Sequence, residues 1–444
     1  MKQILLFGAG RSSTHFIDYI LLHAYEYQWQ LIIAESNIDL AESKIQGNPF
    51  AKAVSCQVED PMQRRLLIGA ADIVVSMLPA FLHILVAEDC VEMGVDMATA
   101  SYVSEEMKQL HSSALVKGVS IMNELGLDPG LDHMSAMSII NEIKNKGGKV
   151  VSFESYCGGL VAASCDNNPW HYKISWNPRN IVLAGTGTAT ILEHGEMKFV
   201  PHSRLFREAR LIEVPGSGVW GMYFNRDSLK YKELYGLHDI ETMIRGTFRH
   251  PDFCAAWALI ISLGLIDSTV QLKESSDLTY LSLTKAFLDN NKNSLKEALD
   301  QTIGYESQKK HFEMLEWLGL FSDSKLVTSD ATPIDSLERL VTEKWKLAPG
   351  DADLVLMHHK IGYKYNDKIL HCTSTLRQEG KDDVHTAMSE LVGLPLAIYV
   401  KNKLNGLQVE SGIHIPIKKY IYQPILAELA DLGIHFTENW NHNE

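Results

Sequence analysis

The tightest constraint on this chain is the rhythm of its first 125 residues. Short, mainly apolar runs recur at Lys2–Phe7, Leu31–Ala34, Ala53–Val58, Ile73–Leu78, Asp96–Ala100 and Val119–Glu124. Helix-spaced segments separate them: Phe16, Ile17, Ile20, Leu21 and Ala24, then Met62–Leu67, Leu82–Met93 and Glu105–Lys117. A continuous apolar run is the mark of a strand buried on both faces. Strand and helix repeated in this way call for a parallel sheet with helices on both sides. The expected fold of residues 1–125 is therefore α/β, a Rossmann-like doubly wound parallel sheet.

Gly8-Ala9-Gly10-Arg11-Ser12-Ser13 follows the first expected strand and opens a helix. At such a junction the first glycine makes the tight turn. The second lets the backbone approach a pyrophosphate seated on the helix N-terminus. The third position of the fingerprint is Ser13 rather than glycine, so the motif gains its weight from its place at the first strand–helix junction. Gly8, Gly10, Arg11 and Ser12 are the expected cofactor contacts here. Glu35 ends the second strand, with Ser36 after it and no Lys or Arg before Lys44. A carboxylate in that place bonds ribose hydroxyls and repels a 2′-phosphate, which favours NAD over NADP as cofactor, NADP staying possible. A solvated acid at a strand end is the competing reading of Glu35. Leu78, Thr99, Ala100 and Leu127 lie at or just beyond later strand ends, the edge where open α/β sheets bind ligands. Ser101 and Tyr102 add hydroxyls there.

From Lys149 the rhythm changes. Strand-like pieces at Lys149–Tyr156, Lys198–Pro201, Leu211–Val214, Asp353–His359, Ile361–Tyr365 and Ile369–Ser374 suggest an antiparallel sheet. Helical patterns at Phe253–Leu263, Tyr280–Asp289, Ser294–Thr302, Lys309–Leu318 and Asp335–Trp345 suggest a helical insertion. The last stretch, His385–Leu404 and Pro424–Leu432, is helical again. The expected domains are 1–125 completed by 385–444, a mixed α+β domain of 126–250 and 347–384, and an insertion of 251–346.

Asn123–His133 leaves a strand with two glycines, a proline and several polar residues. Asp132 fits an N-cap for the helix that follows, and Asp128 lies better for a ligand. Arg226, Arg245 and Arg249 sit in short segments with Gly, Ser and Thr, read as loop-like, where each is a candidate fork for a carboxylate. Most arginines are simply solvated, which is the plainer alternative. No metal is expected: there is no HExxH, and His358 and His359 would point to opposite faces of a strand. No GxSxG elbow supports acyl chemistry either.

Lys and Arg total 41 against 55 Asp and Glu, a net charge of −14. That balance argues against a nucleic-acid or anionic-membrane partner. The longest apolar run, Phe253–Ile266, is too short to span a bilayer, and the six cysteines contain no CxxC pair. A soluble, reduced, cytoplasmic protein with a small-molecule substrate is expected.

Taken together the motifs resemble the saccharopine dehydrogenases that form L-glutamate. The resemblance runs through GAG at Gly8–Gly10, TASY at Thr99–Tyr102, NELGLDPGLDHM at Asn123–Met134, SYCGGL at Ser155–Leu160 and NPxxYKxSW at Asn168–Trp176. It continues in NRDS at Asn225–Ser228, RGTxR at Arg245–Arg249, EWLGL at Glu316–Leu320 and VGLP at Val392–Pro395. It implies a dinucleotide domain completed by C-terminal helices and a substrate domain with a helical insert. The implied reaction interconverts saccharopine with L-glutamate and 2-aminoadipate 6-semialdehyde, by hydride transfer at a secondary amine and hydrolysis of the imine. Carried over by motif, the substrate contacts are Ser101, Tyr102, Asp128, Arg226, Arg245, Gly246 and Thr247, with Asp128, Tyr102 and Cys157 nearest the chemistry. Glu35 and Ser36 fit the NAD-using catabolic branch better than the fungal NADPH-using one. The family's Gly-Gly-Leu-Pro reads Gly158-Gly159-Leu160-Val161 here, and Ala162-Ala163-Ser164 lack the usual proline and acid. A related enzyme acting on another amino-acid imine, such as a carboxylated polyamine, and a non-catalytic NAD-binding module are the alternatives. A homodimer is expected by analogy with the fold.

Overall fold

The computed structural model describes residues 1–272, 277–288, 294–304, 309–326 and 332–441. The chain divides into two compact units, residues 1–147 with 380–436 and residues 148–379 with 437–444.

Unit 1 is built on a parallel sheet of seven strands in the order β3-β2-β1-β4-β5-β6-β15. The strands are β1 (Lys2–Phe7), β2 (Trp29–Glu35), β3 (Ala51–Ser55), β4 (Ile73–Ser76), β5 (Met97–Thr99), β6 (Ser120–Met122) and β15 (Gly412–His414). Ile4, Leu5, Leu6, Val74 and Val75 lose all or nearly all contact with water, as strands covered on both faces must. The order reverses at β1, whose neighbours are β2 and β4, and this reversal is where a doubly wound sheet opens a ligand crevice. The seventh strand, β15, comes from the C-terminal segment and pairs with β6. Its three residues carry too little pattern to be read from sequence. The C-terminal helix Ala387–Leu404 lies so close to Thr14–Tyr27 that a Cβ on Gly393 would come within 2.7 Å of the Phe16 nitrogen. That contact accounts for the glycine of VGLP.

The boundary expected after residue 125 lies inside unit 1. The helix Leu131–Asn145 follows β6 and bonds the C-terminal part of the same unit, Asn141 Nδ2 donating to Tyr422 Oη at 2.8 Å. Conversely, β16 (Thr437–Asn441) leaves unit 1 and pairs with a strand of unit 2.

Unit 2 holds a sheet of nine strands. Its main path is β10-β11-β12-β7-β13-β14-β16, with β8 beside β12 and β9 beside β8. The ranges are β7 (Lys149–Val161), β8 (Ala189–Glu193), β9 (Glu196–Val200), β10 (Arg210–Val214), β11 (Gly218–Phe224), β12 (Thr242–Arg249), β13 (Asp353–Tyr365) and β14 (Lys368–Glu379). The antiparallel expectation fails at the centre, where β12 runs parallel to β7. The two segments read separately at Asp353–His359 and Ile361–Tyr365 form one strand, β13, with a register shift at Gly362/Tyr363.

Helices at Pro251–Ser262, Tyr280–Ala286, Leu295–Ile303, Lys309–Leu318 and Pro333–Lys344 form the insertion. Asp289, expected to close the second of these, and residues 442–444 of the expected first domain lie outside the described residues. A core of Trp170, Tyr172, Phe253, Trp257 and Trp345 ties this layer to the sheet, with Phe253 and Trp257 stacked at 5.6 Å. Among the described residues no helix is long and apolar enough to cross a membrane.

Candidate active site

In unit 1 the strand ends after β1, β4, β5 and β6 gather the expected cofactor residues. Gly8 has φ +96°, and a Cβ there would stand 2.9 Å from the Met77 carbonyl oxygen, so only glycine makes this turn without displacing backbone. Gly10 has an ordinary φ and open space around it, with no atom within 4 Å of a built Cβ. The chain then enters a single 3₁₀ turn, Arg11–Ser13, before the helix Thr14–Tyr27. Arg11 is exposed and Ser12 half-buried. In place of a third glycine, Ser13 folds its hydroxyl back on the Gly10 carbonyl at 2.8 Å. A tight glycine turn, an open backbone approach and a helix start fit the pyrophosphate of a dinucleotide.

Glu35 is neither solvated nor idle. It accepts the Ala9 N–H at 2.8 Å, the Asn37 N–H at 3.2 Å and the Ser36 hydroxyl at 3.0 Å. Burial pushes its carboxyl up, but these hydrogen bonds outweigh that and hold it below the usual carboxylate value. Lys44 reaches the same loop, donating to the Gly10 carbonyl at 2.6 Å and to the Thr14 hydroxyl at 2.9 Å. Burial lowers its ammonium to about 8.

Leu78, Thr99 and Ala100 line the ends of β4 and β5, and Leu127 follows β6. Leu78 Cδ2 would lie 3.4 Å from a Cβ on Gly8, and the Ala100 methyl 3.1 Å from one on Gly126. Tyr102 donates its hydroxyl to Asp128 Oδ1 at 2.9 Å. These two expected residues come together although 26 positions separate them. Asp128 precedes Pro129 through a cis peptide bond. Asp132 is not the helix cap it was expected to be. Gly130 takes that position, and Asp132, buried in the first turn, accepts the Gly130 N–H at 2.6 Å. Glu124 and His133, also buried, meet at 2.8 Å and brace the same segment.

Sequence reasoning passed over His83. Its Nδ1 lies 2.7 Å from the Ser76 hydroxyl and its Nε2 2.6 Å from the Ser101 hydroxyl. Burial lowers it to about 4, so near neutral pH the ring is uncharged. A neutral imidazole donates from one nitrogen and accepts at the other. One serine therefore gives a proton to the ring while the other receives one. No local signal marks this residue, because the contact depends on how the helix His83–Met93 meets two strand ends.

In unit 2 the remaining residues lie on, or just beyond the end of, three neighbouring strands. The segment read as a loop around Arg245 is in fact the interior of β12. There Arg245, Gly246 and Thr247 pair with Ser155, Tyr156 and Cys157 of β7. On the other side Tyr223 and Phe224 of β11 pair with Thr247 and Gly246. The Asn225 N–H donates to the Arg245 carbonyl at 2.8 Å, so NRDS and RGT abut where β11 ends beside β12. Arg226 is exposed with φ +47°. Arg245 is buried and its guanidinium lies 4.6 Å from the Tyr231 ring centroid. Thr247 is half-buried and Cys157 buried. A Cβ on Gly246 would strike the Met222 sulfur at 2.3 Å. Arg249 is wholly enclosed over Tyr172, at 4.9 Å, and donates to the Phe248 carbonyl at 2.8 Å. Lys173 of the YKxSW stretch is likewise taken up structurally, 2.6 Å from Asp351 with both side chains largely buried.

The chain matches two families along nearly its whole length. Residues 4–122 match the saccharopine dehydrogenase NADP binding domain, and residues 126–434 the saccharopine dehydrogenase C-terminal domain. It is 30% identical over 448 residues to saccharopine dehydrogenase [NADP(+), L-glutamate-forming] of Schizosaccharomyces pombe, covering 99% of each. It is 33% identical over 449 residues to mitochondrial alpha-aminoadipic semialdehyde synthase of Bos taurus. There the alignment takes in 98% of this chain but only 47% of the relative, about half its length. The solved apo saccharopine dehydrogenase (L-Glu forming) of Saccharomyces cerevisiae superposes with a TM-score of 0.88 at 30% identity, covering 99% of this chain and 100% of the other.

Proposed function

The chain belongs to the saccharopine dehydrogenase family, and from that premise we propose that it interconverts saccharopine with L-glutamate and 2-aminoadipate 6-semialdehyde. The observation that carries this reading is full-length similarity to L-glutamate-forming enzymes together with the pairing of Tyr102 and Asp128 at the dinucleotide edge.

A dinucleotide held at Gly8, Gly10 and the helix start beyond them would supply the hydride acceptor for oxidation at the carbon beside the secondary amine. What the chain supplies is holding and proton handling. Saccharopine carries three carboxylates, and the guanidiniums of Arg226 and Arg245 are the forks assigned to them. Gly246 contributes backbone and Thr247 and Ser101 contribute hydroxyls. Three protons must move in the oxidative direction. One leaves the substrate ammonium before the hydride departs, one leaves the water that adds to the iminium, and one passes from the new hydroxyl to nitrogen as the C–N bond breaks. Asp128, a carboxylate already taking the Tyr102 proton in a hydrogen bond, is the group assigned to these transfers or to orienting the water. Cys157 shapes the wall beside Thr247.

The choice of dinucleotide is where residue chemistry and relatives diverge. Glu35 argues for NAD. The fungal relatives carry NADP(+) in their names, and the matched nucleotide domain is described as NADP binding, so the lean to NAD finds no support there. We take NADP as the cofactor to test first. Glu35→Ser is then expected to tighten NADPH more than NADH, since it removes a carboxylate that opposes the 2′-phosphate.

Purified protein mixed with saccharopine and NADP⁺, or NAD⁺, should generate the reduced cofactor, followed by its absorbance. No turnover with either dinucleotide would overturn the proposal. Arg226→Ala should raise the KM for saccharopine well beyond any change in cofactor affinity, and equal losses would contradict its role.

A further inference from the structure

Three histidines and two aspartates that the proposed reaction does not use converge on the insertion side of unit 2. His171 lies in the stretch after β7, His250 and Asp252 flank the start of the helix Pro251–Ser262, and His311 belongs to the helix Lys309–Leu318. Asp252 is the hub. Its Oδ2 is 3.4 Å from His250 Nδ1 and 4.0 Å from His171 Nε2, and its Oδ1 is 3.5 Å from His311 Nε2. The rings of His171 and His250 lie 3.9 Å apart. One donor atom from each of His171, His250 and Asp252 falls within 4.8 Å of the others.

The tautomers follow from the surrounding bonds. His171 Nδ1 is 2.7 Å from Asp166 Oδ2, an acceptor, so that nitrogen carries the proton and Nε2 turns its lone pair toward Asp252. His250 Nδ1 accepts the Asp252 N–H at 3.3 Å as the helix cap, so Nδ1 is unprotonated and a metal ion would take its lone pair in place of that N–H. His311 Nδ1 is buried with no partner. Lone pairs facing a carboxylate repel unless a positive charge stands among them. Protons are a poor solution, since two imidazoliums at stacking distance repel each other. Lys310 now answers the carboxylate, its Nζ 2.7 Å from Asp252 Oδ2, but that side chain is two-thirds exposed and can swing away.

A metal ion is the better fit. Imidazole nitrogens and one carboxylate oxygen are the donor set of zinc-class divalent ions. Bonds of about 2.0–2.1 Å in a tetrahedron bring donor atoms to roughly 3.3–3.5 Å from one another, so His250 Nδ1 at 3.4 Å from Asp252 Oδ2 already fits and His171 Nε2 at 4.0 Å has only to draw in. The Asp166–His171 bond is also the outer contact that fixes the tautomer of a metal-bound histidine. The geometry points to a site for a divalent transition-metal ion of the zinc class, held by His171, His250 and Asp252 with water completing its shell, Asp166 orienting His171 and Lys310 displaced on binding. Such an ion would join two segments distant in sequence, which is why no ligand spacing marks it.

The test uses the full chain without a polyhistidine tag, stripped with a chelator and titrated with Co²⁺ and then Zn²⁺. One ion per chain is expected, with the intense visible absorption of tetrahedral cobalt, bleached by zinc. His171→Asn and His250→Asn should each weaken binding at least roughly tenfold, and Asp166→Asn by about tenfold or more. Lys310→Met should tighten it, a gain that a merely structural cluster would not show. Zinc should raise the melting temperature of the parent protein and not of the His171→Asn/His250→Asn double variant. Absent binding, a cobalt spectrum without tetrahedral intensity, or equal affinity in parent and double variant would overturn the site. None of these readouts depends on saccharopine turnover, so they stand or fall apart from the proposed reaction.

Discussion

His83 makes a single-residue prediction with a defined sign. Its ring is buried and uncharged between Ser76 and Ser101, at about 4 against an ordinary 6.5. Because the folded-state value is the lower one, the unfolded chain binds the extra proton first. Stability is therefore full above 6.5 and falls as pH drops from there toward 4, by about 2–3 kcal/mol. His83→Gln should flatten that part of the stability–pH curve in denaturant titrations, and an unchanged curve would contradict the assignment. The same variant, if Ser101 contacts substrate, should raise the KM for saccharopine more than that for the dinucleotide. Gly8→Ala is the backbone counterpart. A Cβ at φ +96° pressed against the Met77 carbonyl should cost about 1–3 kcal/mol and abolish cofactor binding, as a melting scan with and without NADPH would report.

Among elements, β12 and its partners bear the greatest weight in unit 2. Gly158 of β7 faces the Phe248 carbonyl of β12, and a Cβ there would stand 2.6 Å from that oxygen. Gly158→Ala should therefore destabilise the protein by about 1–3 kcal/mol, read as a lower denaturation midpoint. Lys173→Met should cost about 3–5 kcal/mol, by leaving the Asp351 carboxylate largely buried without its cation. The parallel βα series was legible because buried strands there are uninterrupted apolar runs. β12 was not, since Thr242–Arg249 carries two buried arginines and a glycine where alternation would demand apolar side chains. Aromatic rings of Tyr231 and Tyr172 take those guanidiniums, a solution visible only after folding. Likewise β11, Gly218–Phe224, hides behind its glycines. The Gly8–Gly10 loop and the Asp128 segment could be read from sequence because turn chemistry is local. The partners His83–Ser101 and Tyr102–Asp128 could not, because they join separate strand ends.

On the scale of the whole molecule, a chain of net charge −14 is proposed to bind a substrate with three carboxylates. Long-range repulsion then has to be answered locally. Arg226, just beyond β11, and Arg245, within β12, are the positive charges we propose for it. Added salt screens the overall field more than a close guanidinium contact. Oxidation of saccharopine is tested most directly by a stopped assay that identifies products as well as reduced cofactor. With saccharopine and NADP⁺ or NAD⁺, the account predicts L-glutamate and 2-aminoadipate 6-semialdehyde in equal amounts, one of each per dinucleotide reduced. Absence of both products, or release of lysine and 2-oxoglutarate in their place, would contradict it.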